Sequence, residues 1–301
     1  MIKIHKLPQY TWIEVVEPKE SELSDVIDNY QLPRKFKNYM LDKHEQPRAN
    51  YDDLTDFGVL VIRALTNHSG NNTTTVPIFI GFDNRVLITV CHGLEQSQLI
   101  KIADDSGVSE ISEHIFSALL AILSPYFDNL DEISQKAEKL EGIRGRGISN
   151  RNLDALSILK TNLVYLRSAT AGNLIALQDL QGILKGRSNL MATGGIKVNQ
   201  QIADLIVEYK QCQTMFDVEG DVVSETESAF GNILNNKLNQ TMQFLTVWSL
   251  ILAIPPIISG FYGMNVKLPF AGRTEAWFDT LILTLVFVLG MVLYLKIKKR
   301  F

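Results

Sequence analysis

Cysteine and histidine are scarce in this 301-residue chain, and neither is clustered. Cys91 and Cys212 stand far apart, fit no metal-ligand spacing, and read as idle or buried thiols of a reducing compartment. The five histidines, at 5, 44, 68, 92 and 114, form no HxxxH or HxH pair, which leaves a soft-metal enzyme site without support. No nucleophile–base set is present. Gly142-Ile143-Arg144-Gly145-Arg146-Gly147 has glycines and cations but lacks the preceding strand of a P-loop, and reads as a solvated turn between helices. The expectation is a protein that is not an enzyme and holds no organic cofactor. The N-terminus, Met1-Ile2-Lys3-Ile4-His5-Lys6, lacks the apolar run of a secretory signal, so the large domain is expected in the cytosol. Basic charge is also lacking where nucleic acid would need it: residues 1–236 hold 22 Lys+Arg against 31 Asp+Glu, an acidic balance that argues against a nucleic-acid partner.

Between Lys237 and Lys267 there is no charge at all. An apolar helix of about 20 residues crosses the hydrocarbon of a bilayer, and Leu238 to Val266 has length to spare. At heptad a/d spacing the run places Asn239, Met242, Thr246, Ser249, Ala253, Pro256, Gly260 and Gly263 on one side, all small or polar except Met242. Bulky residues such as Phe244, Trp248, Leu252 and Ile257 occupy the rest. One side suits lipid or a neighbouring helix; the other suits close helix contact or a water-filled path. A single-pass anchor with a tight packing face would also account for the small residues. It would not account for an ending in Tyr262-Gly263-Met264-Asn265. A second apolar run, Trp277 to Leu295, carries no comparable stripe and is expected at the lipid-facing periphery. Lys296, Lys298, Lys299 and Arg300 close the chain, against Lys267 and Arg273 in the loop. That bias puts both termini in the cytoplasm of a multi-pass protein of the cell membrane.

The remaining chain divides by periodicity. Residues 1–108 read as a mixed α/β domain. Ile2–Ile4, Trp12–Val16, Phe57–Leu65, Val76–Phe82 and Arg85–Cys91 are its strands, with a hairpin turn at Asp83-Asn84. Ser21–Leu32 and Pro33–Leu41 are its short helices, Pro33 fitting a first helical position, and Asn67–Thr75 is a polar loop. Residues 109–196 read as a helical hairpin, continuing past Ser124-Pro125, with Asn152–Leu184 as its second helix. Residues 197–238 form a stalk that runs without a strong breaker into the membrane helix at 239–262. Together these make one helix of roughly 65 residues, about 100 Å long. A pattern of that length implies a coiled-coil-like or multi-subunit arrangement. Gly220 and Gly231 are the positions at which it could be interrupted. Asp204, Glu208, Asp217, Glu219, Asp221, Glu225 and Glu227 load the stalk with carboxylates, a solvated acidic face that also raises the local cation concentration. An external loop, 263–276, a second membrane helix, 277–295, and a basic tail, 296–301, complete the expected α+β membrane protein.

The Tyr262-Gly263-Met264-Asn265 ending, set between a Pro-containing apolar helix and a second apolar helix with a basic tail, resembles the signature of the CorA family of divalent-cation channels. Asn235-Asn236-Lys237-Leu238-Asn239-Gln240-Thr241-Met242 resembles the family's stretch at the inner mouth of the pore. Arg48-Ala49-Asn50-Tyr51-Asp52-Asp53 loosely resembles its segment before the central strands. The resemblance implies a homopentamer that conducts Mg²⁺, with Co²⁺ a further ion, and a filter at Tyr262, Gly263, Met264 and Asn265. Gly263 would make the sharp turn, and Met264 would pack and orient the loop. It implies pore-facing Asn239, Met242, Leu245, Ser249, Ala253, Pro256 and Gly260, with Met242 and Leu245 as a hydrophobic constriction. It also implies closure by regulatory Mg²⁺ bound between subunits, with Asp204 at one carboxylate position. Such a filter suits the ion: Mg²⁺ holds its waters tightly, and a ring of Asn265 carbonyl oxygens would accept hydrogen bonds from them without the deep trap of a carboxylate. The chain departs from the family at Ala253, where a bulkier Met can occur, at the doubled Pro255-Pro256, and at Val266-Lys267-Leu268-Pro269-Phe270, which lacks the acidic Met-Pro-Glu-Leu motif of many members. Two alternatives stay open: the family's zinc-transporting branch, and a non-conducting membrane-anchored coiled-coil sensor or scaffold.

Overall fold

The computed structural model describes residues 1–66, 73–93, 98–100, 110–145, 147–187, 195–264, 269 and 275–297. The chain forms two compact units, Met1–Glu227 and Ser228–Phe301.

The first unit is built on a six-stranded sheet of β1 (Ile2–Lys6), β2 (Thr11–Val16), β3 (Arg48–Asp52), β4 (Phe57–Thr66), β5 (Thr74–Phe82) and β6 (Val86–Cys91), in the order β1-β2-β6-β5-β4-β3. Every neighbouring pair is antiparallel except β2 and β6, which run parallel with Ile13 beside Ile88. Strand β4, beside the edge strand β3, reads Phe57-Gly58-Val59-Leu60-Val61-Ile62 and is apolar without alternation because both of its faces are covered. On one face Val59, Val61, Phe79, Ile88 and Val90 pack with Leu23, Ile27, Phe36 and Met40, from α1 (Glu20–Asn29), a 3₁₀ turn (Arg34–Phe36) and α2 (Lys37–Leu41). The other face meets α3 (Ile111–Glu141) and α4 (Asn150–Gly186), with α4 lying over β3, β4 and β5. Residues 195–227 of α5 (Gly195–Tyr262) bury Ile202, Leu205, Tyr209, Cys212, Phe216 and Val223 at spacings of three, four and seven. Tyr209 donates its hydroxyl to Leu119 O on α3 at 3.1 Å, and Phe216 meets the Tyr126 ring edge-on.

Several expectations are corrected here. Arg48–Asp52 is a strand, half-exposed at the sheet edge. The β5–β6 turn centres on Asn84-Arg85, because Asp83 pairs with Val86 and its carboxylate accepts from the Arg85 and Val86 amides at 2.6 Å. Pro33 stands just before its 3₁₀ turn rather than inside it, and the helix expected over Ser21–Leu32 ends at Asn29. Of the expected Asn67–Thr75 loop, Thr74 and Thr75 already belong to β5 and residues 67–72 lie outside the described residues. Neither Gly220 nor Gly231 interrupts α5. Gly220 has a local reason: a Cβ there would lie 2.7 Å from Arg167 Nη1, and Arg167 crosses at that point to pair with Asp217 at 2.7 Å.

The second unit holds the second half of α5, from Ser228 on, and α6 (Ala276–Ile297). Both are long and apolar enough to cross a membrane.

Candidate pore helix and its outer turn

Asn239, Met242, Leu245, Ser249, Ala253, Pro256 and Gly260 all lie on α5. At 100° per residue they fall within one arc of about 120°. Met242 and Leu245 are more than half exposed in the single chain. The second apolar helix leaves that arc uncovered. Ile254, Ile257, Ile258, Phe261 and Tyr262 of α5 line a wholly apolar cavity of about 410 Å³ with Leu283 and Phe287 of α6. Those α5 positions centre about 130° around the helix from the first set. The seven are therefore brought together on one strip, and the bulky residues beside them meet α6.

Polar atoms within the apolar segment are mostly absorbed by the helix itself. Thr241 and Thr246 donate to Lys237 O and Met242 O, and Ser259 donates to Pro256 O at 3.2 Å. The helix passes through Pro255 and Pro256 and stops at Tyr262. Its last carbonyls are satisfied by the next residues: Gly263 N–H donates to Ser259 O at 2.9 Å, and Met264 N–H to Phe261 O at 3.2 Å. Met264 is exposed. Tyr262, expected with the filter residues, donates its hydroxyl to Pro269 O at 3.2 Å and so ties the helix end to the far side of the loop. Asn265 lies outside the described residues, as do Val266 to Leu268.

Asp204 is exposed on α5, thirty-five residues before Asn239. Two of the other stalk carboxylates are engaged, Asp217 with Arg167 and Glu227 with Lys160 at 2.6 Å. Among the described residues of one chain, no group of three His, Cys, Asp or Glu side chains could hold a metal ion. Both cysteines are buried, and burial pushes the Cys212 thiol up to about 12 and the Cys91 thiol higher still.

Fold and site together define a two-span membrane protein with a large α+β domain and a stalk helix that continues into the first span. The family model described as "CorA-like Mg2+ transporter protein" matches residues 8–299, and the chain belongs to that family of divalent metal transporters. It is 25% identical over 292 residues to the "Cobalt/magnesium transport protein CorA" of Methanocaldococcus jannaschii, covering 93% of this chain and 88% of that one. The complete structure of the M. jannaschii CorA magnesium transporter superposes with a TM-score of 0.77 at 24% identity, over 96% of this chain and 90% of that one. The cytoplasmic domain of ZntB from Vibrio parahaemolyticus matches 76% of this chain and 90% of its own length, with a TM-score of 0.60 at 12% identity. The likeness to these two structures is one of fold.

Proposed function

We propose that the chain assembles around its pore helix into a homo-oligomeric channel for hydrated divalent cations, with Mg²⁺ the preferred ion and Co²⁺ a second. The observation that supports this most directly is the uncovered arc. Seven mostly small or polar positions face one way on a helix that runs unbroken to Tyr262, while α6 packs against another arc. A single chain gives only one wall of a pore, so closure needs copies of the same helix about a symmetry axis; five is the number carried over from the family resemblance. Asn265 follows the last helical residue by three positions in the sequence, and a ring of its side-chain carbonyls would hold the ion through its waters, with Gly263, Met264 and Tyr262 shaping the turn. Met242 and Leu245 would form a constriction that gates by excluding water.

Regulation would follow from the stalk. One chain offers no three-ligand cluster among its described residues, so a regulatory Mg²⁺ at Asp204 would take its other ligands from a neighbouring subunit. Binding there that favours the closed arrangement shifts its population. The proposed location is the plasma membrane, with both termini in the cytoplasm.

Flux in liposomes with Mg²⁺, Co²⁺, Zn²⁺ and Ni²⁺ offered separately tests the reading. Flux of Mg²⁺ and Co²⁺ is expected. Flux of Zn²⁺ alone would move the protein to the zinc-transporting branch, and Lys267 beside the filter makes ion identity the part most exposed to that outcome. No flux of any ion would leave the anchored sensor.

A further inference from the structure

The closed end of the α3–α4 hairpin carries a cleft that ion conduction leaves without a role. Its volume is about 280 Å³, at the small end of ligand pockets. Leu140 of α3 and Ala155, Ile158 and Leu159 of α4 give it an apolar lining. Leu140 and Leu159 are buried and Ile158 is half-buried, while the two cations that share the lining, Lys136 and Lys139, are exposed. Asn162, the remaining lining residue, accepts from the Thr73 N–H at 3.2 Å. Two positive charges thus stand over an apolar floor, and no carboxylate is among the described lining residues.

The surroundings have the same sign. Residues 136–151 hold five Lys+Arg against two Glu, within a soluble part that is acidic as a whole. Lys136 also meets Glu132 at 2.6 Å, an exposed pair within one helix and of the kind that contributes little. The direction of α4 supplies a second argument. Lys160 pairs with Glu227 and Arg167 with Asp217, so α4 and α5 run antiparallel, and the start of α4 lies where α5 leaves the first unit. The cleft is at that end. The next residues of α5 lead, from Leu238, into the charge-free run that is long and apolar enough to cross a membrane.

We propose that the cleft binds the headgroup and first chain carbons of an anionic phospholipid. Lys136 and Lys139 meet the phosphate, which lysine binds as a point charge, and Leu140, Ile158 and Leu159 cover the carbons. A neutral lipid would satisfy the floor without the cations, and free phosphate the cations without the floor. An anionic lipid satisfies both, and basic residues near a membrane surface favour it.

The test uses the full chain in phosphatidylcholine nanodiscs, with a bimane label on Gln135→Cys. Gln135 is exposed next to Lys136, and the native Cys91 and Cys212 are buried, so the label goes to the new thiol. Nitroxide-labelled phosphatidylglycerol or phosphatidylcholine is mixed into the discs, and quenching is read against its mole fraction. The anionic lipid is expected to reach half-quenching at about a tenfold lower mole fraction than the neutral one. That advantage should vanish in Lys136→Gln/Lys139→Gln and persist in Lys160→Gln, whose charge lies about 150° around α4 from the cleft residues. Equal quenching by the two lipids overturns the site, as does an advantage that survives the double variant or that Lys160→Gln removes as fully. Displacement of the labelled lipid by millimolar inorganic phosphate would assign the lysines to a free anion and reject the lipid. Binding is read without ion flux, so the outcome stands apart from the channel reading.

Discussion

The Asn173 side chain bonds both backbone polar groups of Arg63, accepting from its N–H at 2.8 Å and donating to its carbonyl at 2.9 Å. Strand β3 stops at Arg48, opposite Val61 and two residues short of Arg63. A fully buried amide on α4 therefore takes the place of the missing strand and fastens the helix to the sheet. Tyr126 also donates to Arg63 O, at 2.7 Å, but the Arg63 N–H has Asn173 as its acceptor.

Asn173→Ala leaves that buried N–H unpaired, at a cost of about 1–3 kcal/mol. For a unit of this size each kcal/mol lowers Tm by roughly 2–4 °C. Thermal unfolding of the purified protein should show a drop on that scale, with a smaller one for Tyr126→Phe, since Arg63 O keeps a donor. Equal effects would contradict the division of roles.

Two glycines should respond oppositely to alanine. At Gly81 a Cβ would lie 2.7 Å from the buried Phe57 ring and 2.9 Å from Ile88 Cγ2, and overpacking of this kind costs about 1–3 kcal/mol. At Gly220 the obstacle is the mobile end of Arg167. Its half-exposed pair with Asp217 is worth roughly 0.2–1 kcal/mol, while Gly→Ala in a helix gains up to about 1 kcal/mol. Unfolding midpoints should fall for Gly81→Ala and stay level or rise for Gly220→Ala.

His114 gives the soluble part an acid sensitivity. Its Nε2–H donates to Ile100 O at 2.8 Å, which fixes the tautomer, and Nδ1 takes the Tyr10 hydroxyl at 2.9 Å. Burial holds the imidazole below its ordinary range, opposed by the Ile100 bond and reinforced by His5. His92 is lowered too, by burial and then Lys43. A histidine lowered in the folded state is neutral there while the unfolded chain binds a proton. Stability is thus lost as pH falls below about 6.5 toward the folded pKa, and kept above it. Between pH 7.5 and 5.5 the wild-type Tm should fall more than that of His114→Phe. Parallel curves would show that His114 does not drive the loss.

Much of this was legible in the sequence, and what was not has a physical reason. The apolar strands of the sheet and the long α5 announced themselves by period, and the heptad spacing survives both stalk glycines. Edge strand β3 did not, because Arg48-Ala49-Asn50-Tyr51-Asp52 is polar and only half covered. The parallel pairing of β2 with β6 joins segments some seventy residues apart, and no local pattern reports it. Asn173 sits among the leucines of α4, and its partner backbone is 110 residues away. In the membrane unit the strip of small residues was readable, but the packing face of α6 was not, because that helix is apolar all round.

Asp204 connects the stalk to regulation. If it helps hold Mg²⁺ between subunits, Asp204→Ala should weaken inhibition of flux by Mg²⁺ on the side of the soluble domain and leave the ion preference unchanged. An inhibition curve identical to wild type would return Asp204 to the solvated acidic face.

The most direct test of the central claim is Mg²⁺ flux through Asn265→Ala. The substitution removes the carbonyl proposed to receive the ion's waters and changes no residue of either membrane helix, so the oligomer should still assemble in liposomes. Shedding first-shell waters is no substitute, because Mg²⁺ gives them up reluctantly. The account predicts normal assembly with flux severely reduced; wild-type flux from a correctly assembled Asn265→Ala oligomer would contradict it.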